Sequence, residues 1–228
     1  MRFKALIIFC IIYQLTLSLI AQNKSDRYHE FGSEKRWRLN GYIGPLVAIS
    51  NVEDNFSIDL GATGGFIINK NFFAGLYWQN LVTKVPRIDL ATIGYPTFTE
   101  GEVKMIHVGG VLGYIHSPEK EIHWGVSSSE GVGILSLYAK DPVSLVSEII
   151  YDDKIYIIIP KFYLELNMTK WFKVNVSAGY RFVGKVSSTY INQDQDVIPI
   201  FNKSDYTKPE FSVSLLFGAF GFRSAVLD

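Results

Sequence analysis

The segment from Trp171 to Phe182 decides the fold because its hydrophobicity alternates with a period of two. It reads Trp171-Phe172-Lys173-Val174-Asn175-Val176-Ser177-Ala178-Gly179-Tyr180-Arg181-Phe182. Apolar side chains fall on one face and Lys173, Asn175 and Arg181 fall on the other. This period is that of a β-strand with one apolar and one polar face.

Seven further segments have a related pattern and are separated by turn signals. The eight predicted strands are 37–49, 56–68, 72–83, 102–116, 122–137, 155–168, 171–184 and 209–222. The fifth is the least regular, and its run from Ser127 to Gly131 predicts either a bulge or a section that rises clear of a bilayer. The fold class predicted is all-β, an eight-stranded antiparallel up-and-down transmembrane β-barrel.

The connections alternate in length, as they do in a transmembrane barrel. Short turns are predicted at 69–71, 117–121 and 169–170. The segments 84–101, 138–154 and 185–208 are predicted to be extracellular loops. The loop 185–208 is unusually apolar, so we expect it either to pack over the barrel mouth or to contact a surface partner.

The N-terminus has the features of a secretory signal, with Arg2 and Lys4 before an apolar run. We predict a signal peptide over 1–21, a polar periplasmic leader over 22–36, the barrel over 37–222 and a short tail over 223–228. An uncleaved anchor is the alternative. The one cysteine, Cys10, lies inside the signal, so no disulfide is expected. The formal net charge of zero argues against a nucleic-acid partner.

Aromatic residues are predicted to form two belts at the membrane interfaces. Trp37, Trp124, Trp171, Phe72, Phe73 and Phe172 would lie at the short-turn end, and Trp78, Tyr138, Tyr151, Tyr156, Tyr190 and Tyr206 towards the other. The belts favour a membrane barrel over a soluble lipocalin-like barrel that binds an apolar ligand. Glycines on the inner face favour it as well, because a narrow lumen has little room for side chains.

Three features together resemble the small outer-membrane β-barrel proteins of the Bacteroidota, with an OmpA/OmpX-like or PorT-like eight-stranded barrel domain. They are the signal ending in Ala21-Gln22, the hairpin from Gly64 to Leu76, and the terminal strand from Phe211 to Gly218. The resemblance implies a location in the cell outer membrane and a non-enzymatic role. Outer-membrane lipid and the barrel assembly machinery would be its partners. One departure is that the chain continues beyond Phe222 instead of ending on an aromatic residue.

Polar residues on the inner face are the main candidate site. Asp59, Lys161, Glu165, Lys173, Asn175 and Arg181 are predicted to point into the lumen. The alternatives are a polar gate or proton path and a structural set of ion pairs that fills a narrow barrel, and the second is favoured.

Other chemistry has weaker support. His116 and His123 flank a short turn and could approach one another, but a third metal ligand is missing. His123, the serines 127–129 and Glu130 have the residue types of a lipid A-modifying enzyme, but their spacing along one strand is too large. The run 192–196 lacks the spacing of an EF-hand loop. We therefore expect no catalytic residues, no metal and no cofactor, and a structural or surface-recognition role.

Overall fold

A computed structural model of the chain describes residues 39–87, 90, 100–140, 147–187, 189–191 and 197–220. The predicted signal peptide, leader, tail and Trp37 lie outside these residues, as does the run 192–196. No helix in these ranges is long and apolar enough to cross a membrane.

The described chain consists of twelve strands and one short helix. The strands are β1 (Leu39–Val52), β2 (Asn55–Ile68), β3 (Phe72–Leu81), β4 (Val85–Arg87), β5 (Glu100–His116), β6 (Ile122–Lys140), β7 (Ser147–Asn167), β8 (Phe172–Tyr180), β9 (Phe182–Gly184), β10 (Thr189–Ile191), β11 (Val197–Pro199) and β12 (Pro209–Gly218), with helix α1 (Lys203–Tyr206) before β12.

Eight of these strands close into a ring of antiparallel pairs, in the order β1, β2, β3, β5, β6, β7, β8 and β12. The seam joins β12 to β1, with Tyr42 opposite Gly218 and Ser50 opposite Glu210. Closure pairs the two outermost strands, so the ring has no open edge. The prediction of an eight-stranded antiparallel barrel is confirmed.

The two rims of the ring differ in their connections. One rim, called the short-turn rim, carries the turns 69–71, 117–121 and 168–171. The other, called the long-loop rim, carries the longer connections and the turn Glu53-Asp54, whose φ values of 47° and 61° suit a tight hairpin. Short turns face the periplasm in the barrels of bacterial outer membranes, so we expect the long-loop rim to be extracellular.

The outside of the ring is apolar and exposed. Its large exposed side chains include Leu39, Ile43, Val47, Leu60, Phe66, Leu76, Val108, Leu112, Val132, Phe162, Leu164, Val176, Phe211, Val213 and Leu215. A soluble lipocalin-like barrel would bury such a face, so this alternative is wrong. The outer surface is suited to lipid instead.

Aromatic side chains line the short-turn rim on the outside. Trp124 stacks on His116 at 4.7 Å and on Phe162 at 5.8 Å between ring centroids. Trp171 stacks on Phe217 at 6.1 Å. These rings form the interfacial belt that was predicted there.

Three aromatic assignments are wrong. Phe73 points into the lumen, where its ring lies 6.1 Å from that of Tyr42 and 6.2 Å from that of Tyr163. Tyr206 is fully buried and belongs to no belt. Tyr151 is partly buried and packs against the apolar core inside the barrel. Sequence alternation could not place these residues, because Phe73 follows another phenylalanine, Tyr151 falls in a predicted loop and Tyr206 lies outside the strands.

The predicted loop 138–154 is largely strand. β7 begins at Ser147, eight residues before its predicted start, and pairs with β6 up to Lys140. Asp152, Asp153 and Lys154 made this part read as a loop. Beyond the bilayer a strand can carry charge on either face, because both faces meet water or protein.

The Ser127–Gly131 run contains no bulge. Its residues pair regularly with both neighbours, and the one register shift of β6 falls between Leu137 and Tyr138. β5, β6 and β7 have 17, 19 and 21 residues, whereas β3 and β12 have 10 each. A tilted strand needs about 9–11 residues to cross a bilayer. The three long strands therefore project past the long-loop rim.

We predict that Leu76→Arg, a change of a lipid-facing side chain that is 69% exposed, lowers the free energy of unfolding by about 2–4 kcal/mol. The measurement is urea unfolding of the barrel in phospholipid vesicles. Val197→Arg is the control, because Val197 is 63% exposed but lies in β11 beyond the ring. Equal effects of the two changes would contradict a lipid-facing band.

Candidate functional site: the lumen and its cap

An aromatic and aliphatic cluster closes the lumen at the short-turn rim. It comprises Tyr42, Ile67, Phe73, Ile115, Tyr163, Leu216 and Phe220. Phe220 follows the last strand, and its backbone N–H donates to Lys170 O at 3.2 Å. Its ring lies 4.5 Å from Lys173 Nζ. The described C-terminal segment therefore folds across the mouth of the barrel.

A buried ion-pair group lies beside this cluster. Lys173 Nζ donates to Glu165 Oε1 at 2.6 Å, and His123 Nε2 lies 2.9 Å from the same oxygen. His123 Nδ1 lies 3.2 Å from the carbonyl oxygen of Lys120. Both ring nitrogens are thus engaged, and the imidazole ties the 117–121 turn to β7.

A cavity of about 70 Å³ lies in the middle of the lumen. Hydroxyl and amide side chains dominate its polar lining, which includes Thr63, Gln79, Ser127, Ser129, Asn175, Ser177, Ser212 and Ser214. Both amide atoms of Gln79 are buried without a protein partner. A water needs about 10–15 Å³ of such space and two to four polar partners, so the cavity suits a few ordered waters.

Arg181 organises the charges above the cavity and is fully buried. Its Nη1 donates to Asp59 Oδ2 at 3.1 Å and lies 3.6 Å from Glu210 Oε2. Its Nη2 donates to Ser50 Oγ at 3.2 Å. Lys161 Nζ donates to the other oxygen of Glu210 at 2.8 Å. The two positive charges, on Lys161 and Arg181, are therefore matched by the two carboxylates of Asp59 and Glu210 inside the ring.

Above the charges the interior turns apolar and is capped by described residues of the 185–208 segment. The cluster includes Val52, Leu81, Val103, Met105, Leu135, Leu137, Ile155, Ile157, Ile159, Ile200, Phe201 and Tyr206. Ile200, Phe201 and Tyr206 come from that segment and are buried. Of the two expectations for this loop, packing over the mouth is what the structure shows.

Polar contacts hold the cap, defined as residues 197–208, to the β1–β2 turn. The Tyr206 hydroxyl donates to Glu53 Oε1 at 2.6 Å, and Arg87 Nη1 donates to the same oxygen at 3.1 Å. Burial raises the pKa of the Tyr206 hydroxyl, which keeps it a neutral donor. Arg181 Nε donates to the Tyr206 carbonyl oxygen at 3.1 Å, so the cap is also tied to the charges below.

The six residues predicted to line the lumen all lie on the inner side, in two groups. Glu165 and Lys173 meet near the short-turn rim, while Asp59, Lys161 and Arg181 meet higher up. Asn175 pairs with Glu165 across the strands and lines the cavity between the groups.

Sequence reasoning missed Glu210 and the inward position of His123. Glu210 is almost fully buried and contacts both Lys161 and Arg181. Its spacing of two and four residues from the polar-face Ser212 and Ser214 was the available signal, but it lies next to the strand boundary.

The chemical alternatives do not assemble in the described residues. His116 is exposed on the outer face and His123 is buried inside, so they form no pair. Glu130 and His123 lie on opposite faces of β6, and the carboxylate partner of His123 is Glu165. Within the described parts of the chain, no three or more potential metal ligands lie together.

No protein-family model matches the chain, and no curated protein matches it. Its structure is similar to that of Neisserial surface protein A, with 8% identity and a TM-score of 0.46 over 81% of this chain and 99% of that chain. It is also similar to Ail, the attachment invasion locus protein of Yersinia pestis, with 11% identity and a TM-score of 0.39 over 79% of this chain and 97% of that chain. A third similar structure is a major outer membrane protein from Thermus thermophilus, with 6% identity and a TM-score of 0.48 over 79% of this chain and 99% of that chain.

Because these TM-scores are below 0.5, the assignment of the fold rests on the strands of this chain itself. A closed antiparallel ring, an exposed apolar outside and a polar inside are the features of barrels that span bacterial outer membranes. The chain is an outer-membrane β-barrel protein.

We predict that Arg181→Met lowers the free energy of unfolding by about 3–5 kcal/mol, because it leaves the Asp59 carboxylate buried without its cation. Urea unfolding in phospholipid vesicles measures the effect. The double variant Arg181→Met/Asp59→Asn removes the unpaired charge and should recover part of the loss, since Lys161 still serves Glu210. A double variant as unstable as the sum of its single variants would contradict the pairing.

Proposed function

We propose that the protein is a non-enzymatic, non-conducting outer-membrane barrel that displays an ordered extracellular surface for recognition. The observation that carries this proposal is the filled lumen. An aromatic cluster, two ion-pair groups and an apolar core follow one another along it. Eight-stranded barrels have interiors just wide enough for side chains to fill.

The recognition surface would be the part of β6 and β7 that projects beyond the ring. Near the start of β7, Glu148, Ile149 and Asp152 are exposed, and Ile149 is 56% exposed. An apolar side chain between acidic ones on a projecting hairpin suits a protein contact. The exposed side of the 185–208 segment, which includes Val197 and Lys203, would extend this surface.

The family assignment to the Bacteroidota barrels is part of the proposal. It rests on the Ala21-Gln22 junction, the Gly64–Leu76 hairpin and the Phe211–Gly218 strand. Delivery would begin with removal of residues 1–21, and the barrel assembly machinery would then receive the terminal strand. Phe211, Val213, Leu215 and Phe217 present its outward apolar face.

We expect the purified barrel to give no steady conductance in planar lipid bilayers, because its lumen is filled. A variant that carries Phe220→Ala and Lys173→Ala still has the Arg181 ion pairs and the apolar core under the cap, and should also conduct no ions. Steady single-channel currents of the wild type would contradict the proposal.

We expect recognition to depend on the projecting hairpin. Leu137 pairs with Tyr151, so an Asn-Gly turn that joins these two residues would shorten β6 and β7 and retain every β6–β7 pair on the membrane side of this one. Bacteria carrying this variant should lose autoaggregation or attachment to serum-coated surfaces that the wild type supports. Heat-modifiable migration on gels verifies that the barrel is closed.

The matched control for this experiment is Lys70→Gly at the opposite rim, where the φ of 69° accommodates glycine. Bacteria that carry this control variant should autoaggregate and attach as the wild type does. Unchanged attachment and autoaggregation by cells with the shortened hairpin would contradict a recognition role for this surface.

A further inference from the structure

Ser128 and Glu130 lie on the outer, lipid-facing side of β6. Their neighbour Ser129 is buried and lines the lumen cavity, so the residues on either side of it point outward. Val132, the next residue on the outer face, is 60% exposed. A carboxyl group and a hydroxyl group therefore interrupt an otherwise apolar band.

These two groups lie near the middle of the band. Glu130 pairs with Gly110 on β5, which is six positions from His116 and six from Lys104. His116 stacks on Trp124 in the belt at the short-turn rim. Lys104 Nζ lies 4.3 Å from the centre of the Tyr138 ring towards the other rim. Neither interface is close to the carboxyl group.

Hydrocarbon offers no hydrogen-bond partners to this carboxyl group. Ser128 Oγ donates to Glu130 Oε1 over a long 3.4 Å. The facing side chains on adjacent strands, Val108, Leu112 and Ile158, are apolar. Ionisable residues at such a depth are costly, and they mark interaction sites when they persist.

The surface beside Glu130 permits close approach. A Cβ added to Gly110 would have the carbonyl oxygen of Gly75 as its nearest neighbour, at 3.9 Å, so this glycine leaves open space. Small residues in membrane interfaces have this effect, because they let two backbones pack closely.

We propose that a second copy of this chain packs against the β5–β6–β7 face, about a two-fold axis along the membrane normal. Such an axis keeps every residue at its own height. Ser128 Oγ and the Glu130 carboxyl group are already level, since they are hydrogen-bonded within one chain. Each Ser128 hydroxyl can then exchange its long hydrogen bond within the chain for one donated to Glu130 of the other copy.

We infer a second copy of this chain as the partner because the polar groups on the β5–β6–β7 face can pair with the same groups on another copy. Each face offers one hydroxyl donor and one carboxyl acceptor at one level, and the two-fold axis matches them reciprocally. The apolar side chains around them complete the contact. This inference is independent of the proposed recognition role, which concerns the extracellular surface.

Cysteine cross-linking in native outer membranes tests the proposal. The full chain with Cys10→Ser carries Val132→Cys beside Glu130, or Ile43→Cys on β1 as the control. Ile43 is 66% exposed and lies across the ring from β6. A membrane-permeant oxidant should link Val132→Cys chains into dimers and leave Ile43→Cys chains monomeric.

Glu130→Leu and Ser128→Ala then test the hydrogen bonds. Sedimentation equilibrium in detergent micelles should show dissociation constants that rise roughly tenfold when the reciprocal pair is lost. Glu121→Leu, which removes an exposed carboxyl group at the short-turn rim, should leave association unchanged. Heat-modifiable migration verifies that every variant is folded.

Three results would overturn the proposal. Val132→Cys could give no more dimer than Ile43→Cys, or it could link to a different protein, which would make that protein the occupant. Dimers that persist undiminished in both Glu130→Leu and Ser128→Ala would show that these two groups do not hold the copies together.

Discussion

The buried guanidinium of Arg181 is the interaction on which the rest of the interior depends. It lies between β8 and β9, and it contacts β1 through Ser50, β2 through Asp59 and β12 through Glu210. It also holds the cap through the Tyr206 carbonyl oxygen. A cation buried in a ring of strands requires this many partners, because few waters can reach it.

The strands of the ring pass through two environments, and the face that carries the apolar side chains changes from the outside to the inside between them. Within the bilayer the outside is apolar and the inside carries serines and ion pairs. Beyond it, Ile155, Ile157 and Ile159 face inward and form the core under the cap, while Lys154 faces outward. The projecting part of β5–β7 therefore packs like a soluble domain that continues from a membrane barrel.

This inversion explains how far the sequence could predict the structure. β8 was predicted well because it stays within the bilayer, where apolar side chains along a strand face lipid and polar ones face the lumen. β7 has inward isoleucines above and outward Phe162 and Leu164 below, so its pattern changes phase and its first residues read as a loop. His123 and Glu210 were misjudged because both lie within two residues of a strand end, where periodicity gives the least information. The pair of Arg181 with Asp59 depends on register across distant strands, and only the structure supplies it, whereas Glu165 and Lys173 lie on a single hairpin.

Asp59 and Arg181 lie on the two sides of the seam between β1 and β12, and the two residues are far apart along the chain. Asp59 lies in the N-terminal half, and Arg181 follows 122 positions later in the C-terminal half. Before the ring closes, these charges lie on opposite sides of an open seam and cannot meet. Closing the last pair of strands and pairing Asp59 with Arg181 are therefore one event, so a partly closed barrel would keep the Asp59 carboxylate hydrated and resist entry into lipid.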